Sequence, residues 1–127
     1  MYGNNALNAY KNNSVTHASK DQLLLMLVDG AVRFSKIARK ALEKGNVLES
    51  HRNLVKAQDI FTELMISLDQ NAGEWARQIY QVYDFIKRSL IEINLKKDLK
   101  AMDELIPVIE DIRDTWHEAY DKSKGIK

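Results

Sequence analysis

The chain contains no cysteine, so disulfides, thiolate nucleophiles and thiolate metal ligands are all excluded, and the composition suits a reducing compartment. Its five glycines stand apart from one another and there is a single proline. That excludes a glycine-rich phosphate cradle and leaves few breakers inside long elements. An excess of one charge is also missing: 19 basic residues face 18 acidic ones, with the signs interleaved. Nucleic acid is therefore not an expected partner. The longest apolar run, Leu23 to Val28, has six residues, far short of the ~20 that span a bilayer. The opening residues lack the basic and apolar regions of a secretion signal. The expectation is a cytoplasmic protein with no direct membrane insertion.

What is present is helical periodicity. In the first long segment Leu23, Leu27, Gly30, Phe34, Ile37 and Ala41 form one seam at 3.6 residues per turn. Leu24, Val28, Ala31, Ser35, Ala38 and Leu42 form a second beside it. Leu25, Met26 and Val32 are then left over, which suggests a surface that buries against something outside the bundle.

Residues 1–18 are rich in Asn and show no sustained period, as a mobile N-terminal arm would. Ser19 and Gln22 have the form of a capping box that opens a helix, and Gly45 supplies a left-handed stop. Asn46 and Glu49 open the next helix, where Leu54, Ala57, Phe61, Leu64 and Leu68 keep a 3,4,3,4 spacing. Asp69 to Gly73 is turn chemistry, Trp75, Ile79, Val82, Ile86 and Ile93 mark a third helix, and Asn94 to Asp98 connects it to the last. The last helix again carries two seams. One is Leu99, Met102, Ile106, Ile109, Arg113, Trp116 and Tyr120; the other is Ala101, Leu105, Val108, Ile112, Thr115 and Ala119. Pro107 lies on its polar side with Asp103, Glu110 and Asp114, where water can take the carbonyl the proline leaves unpaired. The prediction is all-α: an antiparallel up-and-down four-helix bundle over 19–124, with helices at about 19–44, 47–69, 74–95 and 98–122. The short connections dictate antiparallel neighbours.

No catalytic or metal constellation emerges. A di-metal bundle needs paired Glu-x-x-His motifs facing inward, and the nearest match, Asp114-x-x-His117, misses both seams and reads as solvated surface. Arg113 with His117 faintly resembles the pair on one helix of some all-helical ribonucleases, but their spacing is one residue short. No enzyme activity and no cofactor are expected. His51 and Gln58, on a stripe with Val47, Leu54, Phe61 and Met65, read as satisfied core polar groups. The aromatic set Trp75, Tyr80, Tyr83, Phe85, Trp116 and Tyr120 reads as core, because aromatics carry the largest burial term.

A series of segments in order along nearly the whole chain carries a family resemblance. It comprises Tyr10, Val15, Ala18-Ser19, Gln22-Leu23, Leu25-Met26-Leu27, Asp29-Gly30-Ala31 and Arg33-Phe34. It continues with Lys56-Ala57-Gln58-Asp59-Ile60, Glu63-Leu64-Met65 and Ser67-Leu68-Asp69, then Tyr83-Asp84-Phe85, Arg88, Leu90, Asn94-Leu95, Lys97-Asp98 and Arg113-Asp114-Thr115-Trp116. This pattern resembles the bacterial flagellin-specific export chaperones, small cytoplasmic helical bundles. Departures fall at His17, Lys20, Val28 and Ser89, where Thr, Pro, an aromatic and a second Arg are usual.

The resemblance implies a chaperone that forms a heterodimer with the disordered C-terminal segment of flagellin. It would prevent premature polymerisation and keep the client competent for type III export, with an export-gate component as a further partner. It also implies a bound segment that winds around the bundle, and an arm that covers part of the site when the client is absent. Leu24, Leu27, Ile60, Leu64, Tyr83 and Leu90 would then border or support an apolar trough, with Tyr10 docking the arm over it. The competing reading of the leucines and isoleucine is plain core. Lys56, Arg88 and Arg113 would pair with the partner or with bundle carboxylates such as Asp84. The rival functions are a helical oligomerisation or regulatory module that homodimerises through its surplus apolar face and, more remotely, a ribonuclease.

Overall fold

A computed structural model describes residues 19–125. Among them the chain forms four α-helices, α1 (Lys20–Glu43), α2 (Val47–Ser67), α3 (Glu74–Lys96) and α4 (Leu99–Gly125), and one 3-10 turn, Gln70–Ala72, with no strand. The helices pack as a ring, α1 against α2, α2 against α3, α3 against α4, and α4 back against α1. Each is antiparallel to its neighbours: Arg39 near the end of α1 meets Asp103 near the start of α4 at 2.6 Å, and His51 early in α2 meets Asn94 late in α3 at 2.9 Å.

Local chemistry fixes the ends. The Ser19 hydroxyl accepts from the Gln22 amide while the Gln22 side chain accepts from the Ser19 N–H, which satisfies two orphan donors of α1. At the other end Gly45 adopts φ 71°, and the amides of Gly45 and Asn46 donate to the carbonyls of Leu42 and Ala41. This pair of hydrogen bonds is the Schellman closure that a left-handed residue permits. The Asn46 side chain caps α2 through the Glu49 amide, and Asp98 caps α4 through Ala101. Asp69 caps the 3-10 turn through Asn71.

The core is one cluster running the length of the ring, with Leu54, Phe61, Ile86, Leu90 and Met102 fully enclosed. α1 differs from its sequence reading. Val32, left over when the seams are counted, is buried, whereas Ile37, on a seam, is exposed. The reason is that α1 is flanked on two sides, by α2 and α4, so the ring covers a wider arc than one seam pair and absorbs much of the supposed surplus. Leu25 and Met26 are half-buried. In α4 the seams hold through Ile112, but Arg113, Trp116 and Tyr120 are only half-buried and Thr115 and Ala119 are exposed. α4 runs through Pro107 without a break, with the proline exposed.

Several polar and aromatic expectations need correction. His51 is not a core residue: it is exposed and accepts from the Asn94 amide, whose carbonyl oxygen in turn accepts from Lys97. Gln58 is half-buried and Val47, on the same stripe, is exposed. His117 is not free surface, because its ring bonds the Asp29 carboxylate of α1 at 2.7 Å and ties α4 to α1; Asp114 is exposed. Trp75 and Phe85 are not core, with about half of each exposed.

Candidate partner-binding groove

At the end of the bundle where α1 begins, α2 ends and α4 runs out, the helices enclose an open groove of about 440 Å³. Its apolar lining is Leu23, Leu24 and Leu27 from α1, Leu64 from α2 with Leu68 just past its end, Tyr83 from α3 and Trp116 from α4. Lys20 and Asp21 on α1 and Glu63 and Ser67 on α2 contribute polar edges. The position follows from helix geometry. Leu23 and Leu24 in the first turns of α1 and Leu68 at the end of α2 stay partly open, whereas Leu27 and Leu64 further in are enclosed by the core.

The floor is rigid. Tyr83 is 1% exposed and packs its ring against Phe61 at 6.0 Å. Burial pushes its phenol pKa up to about 12, partly opposed by the Trp116 indole, which donates to the phenol oxygen at 2.8 Å. The phenol therefore stays neutral and serves as an acceptor that fixes Trp116. Trp116 in turn meets Trp75 edge-on at 6.3 Å, so both tryptophans of the chain stand at this corner with Trp75 half in water.

The structure brings four of the sequence-predicted residues together here: Leu24, half-buried, with Leu27, Leu64 and Tyr83, all buried. Ile60 and Leu90 lie outside the lining and are enclosed in the core, Ile60 against α1 at Gly30, where a β-carbon would stand 3.2 Å from its terminal methyl. Lys56 stands over the Phe34 ring at 5.2 Å. Arg88 pairs with Asp84 at 2.8 Å, and Arg113 with Asp114 at 2.9 Å, a contact that raises the guanidinium pKa. All three cations thus have partners within the bundle itself. Tyr10 lies outside the described residues. Leu23, Leu68 and Trp116 are groove features that the sequence reading did not single out as such. The signal available was that Leu23 falls in the first turn of α1 and Leu68 at the cap of α2, where a seam outruns its cover.

Among the described residues no group of His, Asp and Glu is arranged to hold a metal ion, and no helix is long and apolar enough to cross a membrane. The groove offers shape and apolar area, with no reacting group in it.

The family model described as "Flagellar protein FliS" matches residues 3–123. The chain is 35% identical over 115 residues to the flagellar secretion chaperone FliS of Bacillus subtilis, covering 91% of this chain and 86% of that one. It is 33% identical over 129 residues to the protein of the same name from Salmonella typhimurium, covering 97% and 96%. Its fold is similar to a solved structure described as a flagellar chaperone from bacteria, with TM-score 0.74 and 17% identity over 93% of this chain and 97% of that one. These relatives are chaperones and not enzymes, so the faint ribonuclease reading of Arg113 and His117 lapses. The four-helix ring, the match across almost the entire sequence and these relatives lead to one conclusion: the chain belongs to the FliS family of flagellar export chaperones.

Proposed function

We propose that this protein binds the C-terminal segment of flagellin in the cytoplasm as a one-to-one heterodimer, holding it monomeric until the type III apparatus of the flagellum takes it. The observation that carries the reading is the groove bounded by Leu23, Leu24, Leu27, Leu64, Leu68 and Trp116: apolar within, polar at its edges and open to solvent. An amphipathic stripe from a client docks in such a trough by its apolar face. Burying apolar area contributes about 25 cal/mol per Å², and ordering a disordered tail offsets much of that. A moderate, reversible affinity suits a client that must later be released.

The sequence position of the arm is compatible with its competing for the same site. Ser19, the first described residue, directly precedes Lys20 and Asp21, which line the groove, and Tyr10 lies nine positions before it in the sequence. At ~3.3 Å per residue that chain reaches about 30 Å, ample to bring Tyr10 over the groove and have it compete with the client.

Titration calorimetry and size-exclusion chromatography with a synthetic flagellin C-terminal peptide test this. Leu24→Ala at the lip is expected to weaken binding at least about fivefold and to cost about 1–2 kcal/mol of stability, less than a fully enclosed leucine, since it packs against the core with part of its side chain open. Leu64→Ala, in the floor and fully packed, is expected to lose about 2–5 kcal/mol of stability. A Leu24→Ala protein that binds the peptide like wild type removes the groove from the reading. Self-association unaffected by the peptide would favour the homodimer module instead.

A further inference from the structure

The side of the ring between α3 and α4 is the least closely packed of the four. There the helices leave a second groove of about 270 Å³, between the later half of α3 and the earlier half of α4. It lies toward the opposite end from the Leu24 groove, which uses Tyr83 early in α3 and Trp116 late in α4. Ile93 and Leu105, both buried, form its floor, with Ala101 and Val108 beside them. Phe85 lines it while 54% exposed. A large aromatic left half in water beside an apolar floor is surface that a partner can still desolvate.

The charges around this groove are unequal. Its lining carries Glu92, Asp98 and Glu104 against Lys96 alone. Lys96 is held by Glu92 at 2.8 Å and also feels Asp98, and Glu104 has no ion pair among the described residues. The groove therefore presents a net negative rim around a hydrophobic slot, whereas the chain as a whole is balanced. We propose that the α3–α4 groove is a separate docking site for a second protein partner, which inserts an amphipathic helix with an apolar stripe flanked by Lys or Arg. The helix would complete the loosest side of the ring. Its apolar stripe would cover Phe85, Val108 and Leu105 and its cations would answer Glu104, Glu92 and Asp98. Because the two grooves share no lining residue and lie toward opposite ends of the bundle, client and second partner can be held at once.

The probe is a synthetic helical peptide of about four turns, with Leu at i, i+3, i+4 and i+7 and Lys on both flanks, compared with a twin carrying Glu in place of Lys. Affinity for the full chain is measured by fluorescence anisotropy at low and high salt, with and without saturating flagellin tail peptide. The Lys probe is expected to bind about tenfold tighter than its twin at low salt, a difference that shrinks as salt screens the rim. Phe85→Ser should abolish binding and Glu104→Lys should erase most of the Lys preference. Glu104 is exposed and Phe85 about half so, and both variants should stay folded, with the thermal midpoint of Glu104→Lys matching wild type and that of Phe85→Ser only slightly lower. Three results overturn the proposal: equal affinity for the two probes, binding that survives Phe85→Ser, or displacement of the probe by the tail peptide. Self-association of the free protein that Phe85→Ser dissolves would likewise overturn it, by making a second copy the occupant.

Discussion

Asp59 shows how a single residue carries information that its place in a helix pattern hides. It is a half-buried carboxylate on α2 with one oxygen enclosed and lacking a hydrogen-bond partner. Burial raises its pKa above the ordinary 3.8, and the Lys87 charge on α3 opposes the shift without cancelling it. Since ionising this carboxyl costs more in the folded chain than in the unfolded one, the penalty is full above its folded pKa and gone below the ordinary value. Asp59→Asn is therefore expected to raise the thermal midpoint at pH 7 and to leave it unchanged near about pH 3. Paired melts at the two pH values check this, and a variant less stable at pH 7 would mean that the Lys87 attraction outweighs desolvation. The periodicity of α2 places Asp59 beside Ile60 on the flank of the seam, but only the position of α3 decides how much of it is covered. The same holds for Leu24 and Leu64, two leucines that look alike in sequence. One is a lip and the other a floor because α2 ends where α1 has just begun.

Among the elements, the ends of the helices are written most plainly in the sequence. Ser19 with Gln22, Gly45, Asn46 and Asp98 each solve a local backbone hydrogen-bonding problem within a few residues, and local problems are legible without knowledge of the fold. Pro107 is the exception to good local design. It removes one bond within α4, and its position on the exposed face leaves the Asp103 carbonyl to water. Pro107→Ala is expected to stabilise the protein by about 1–2 kcal/mol, because the ~3 kcal/mol interior penalty is offset in part by the looser unfolded chain that alanine allows. Chemical denaturation should show a higher midpoint with an unchanged slope. A lower midpoint would show that the ring's contacts beside Ile37 and Ile106, which share a surface dip with it, matter more than the missing bond.

At the scale of the whole molecule, Trp116 lines the groove proposed for the client and Trp75 stands against it, so the protein carries its own reporter. Saturating flagellin tail peptide is expected to shift tryptophan emission to shorter wavelength as Trp75 and Trp116 lose water, and Trp75→Phe should leave a smaller shift of the same sign. An unchanged spectrum at saturation would place the tail elsewhere. Tyr83 holds Trp116 through a bond between side chains 33 positions apart, which no local pattern in the sequence announces. The sequence alone determined that the chain is four amphipathic helices with capped ends and short connections, because spacing and capping act over a turn or two. It also determined the family, since ordered segments along the chain carry the resemblance. Which apolar residues remain open was decided only in tertiary structure: the ring buried Val32, left Phe85 and Trp75 half in water, and opened Leu24 at a helix end. Exposure depends on which neighbouring helix lies over a side chain and where that helix stops, and those distances are set by the packing of the whole ring.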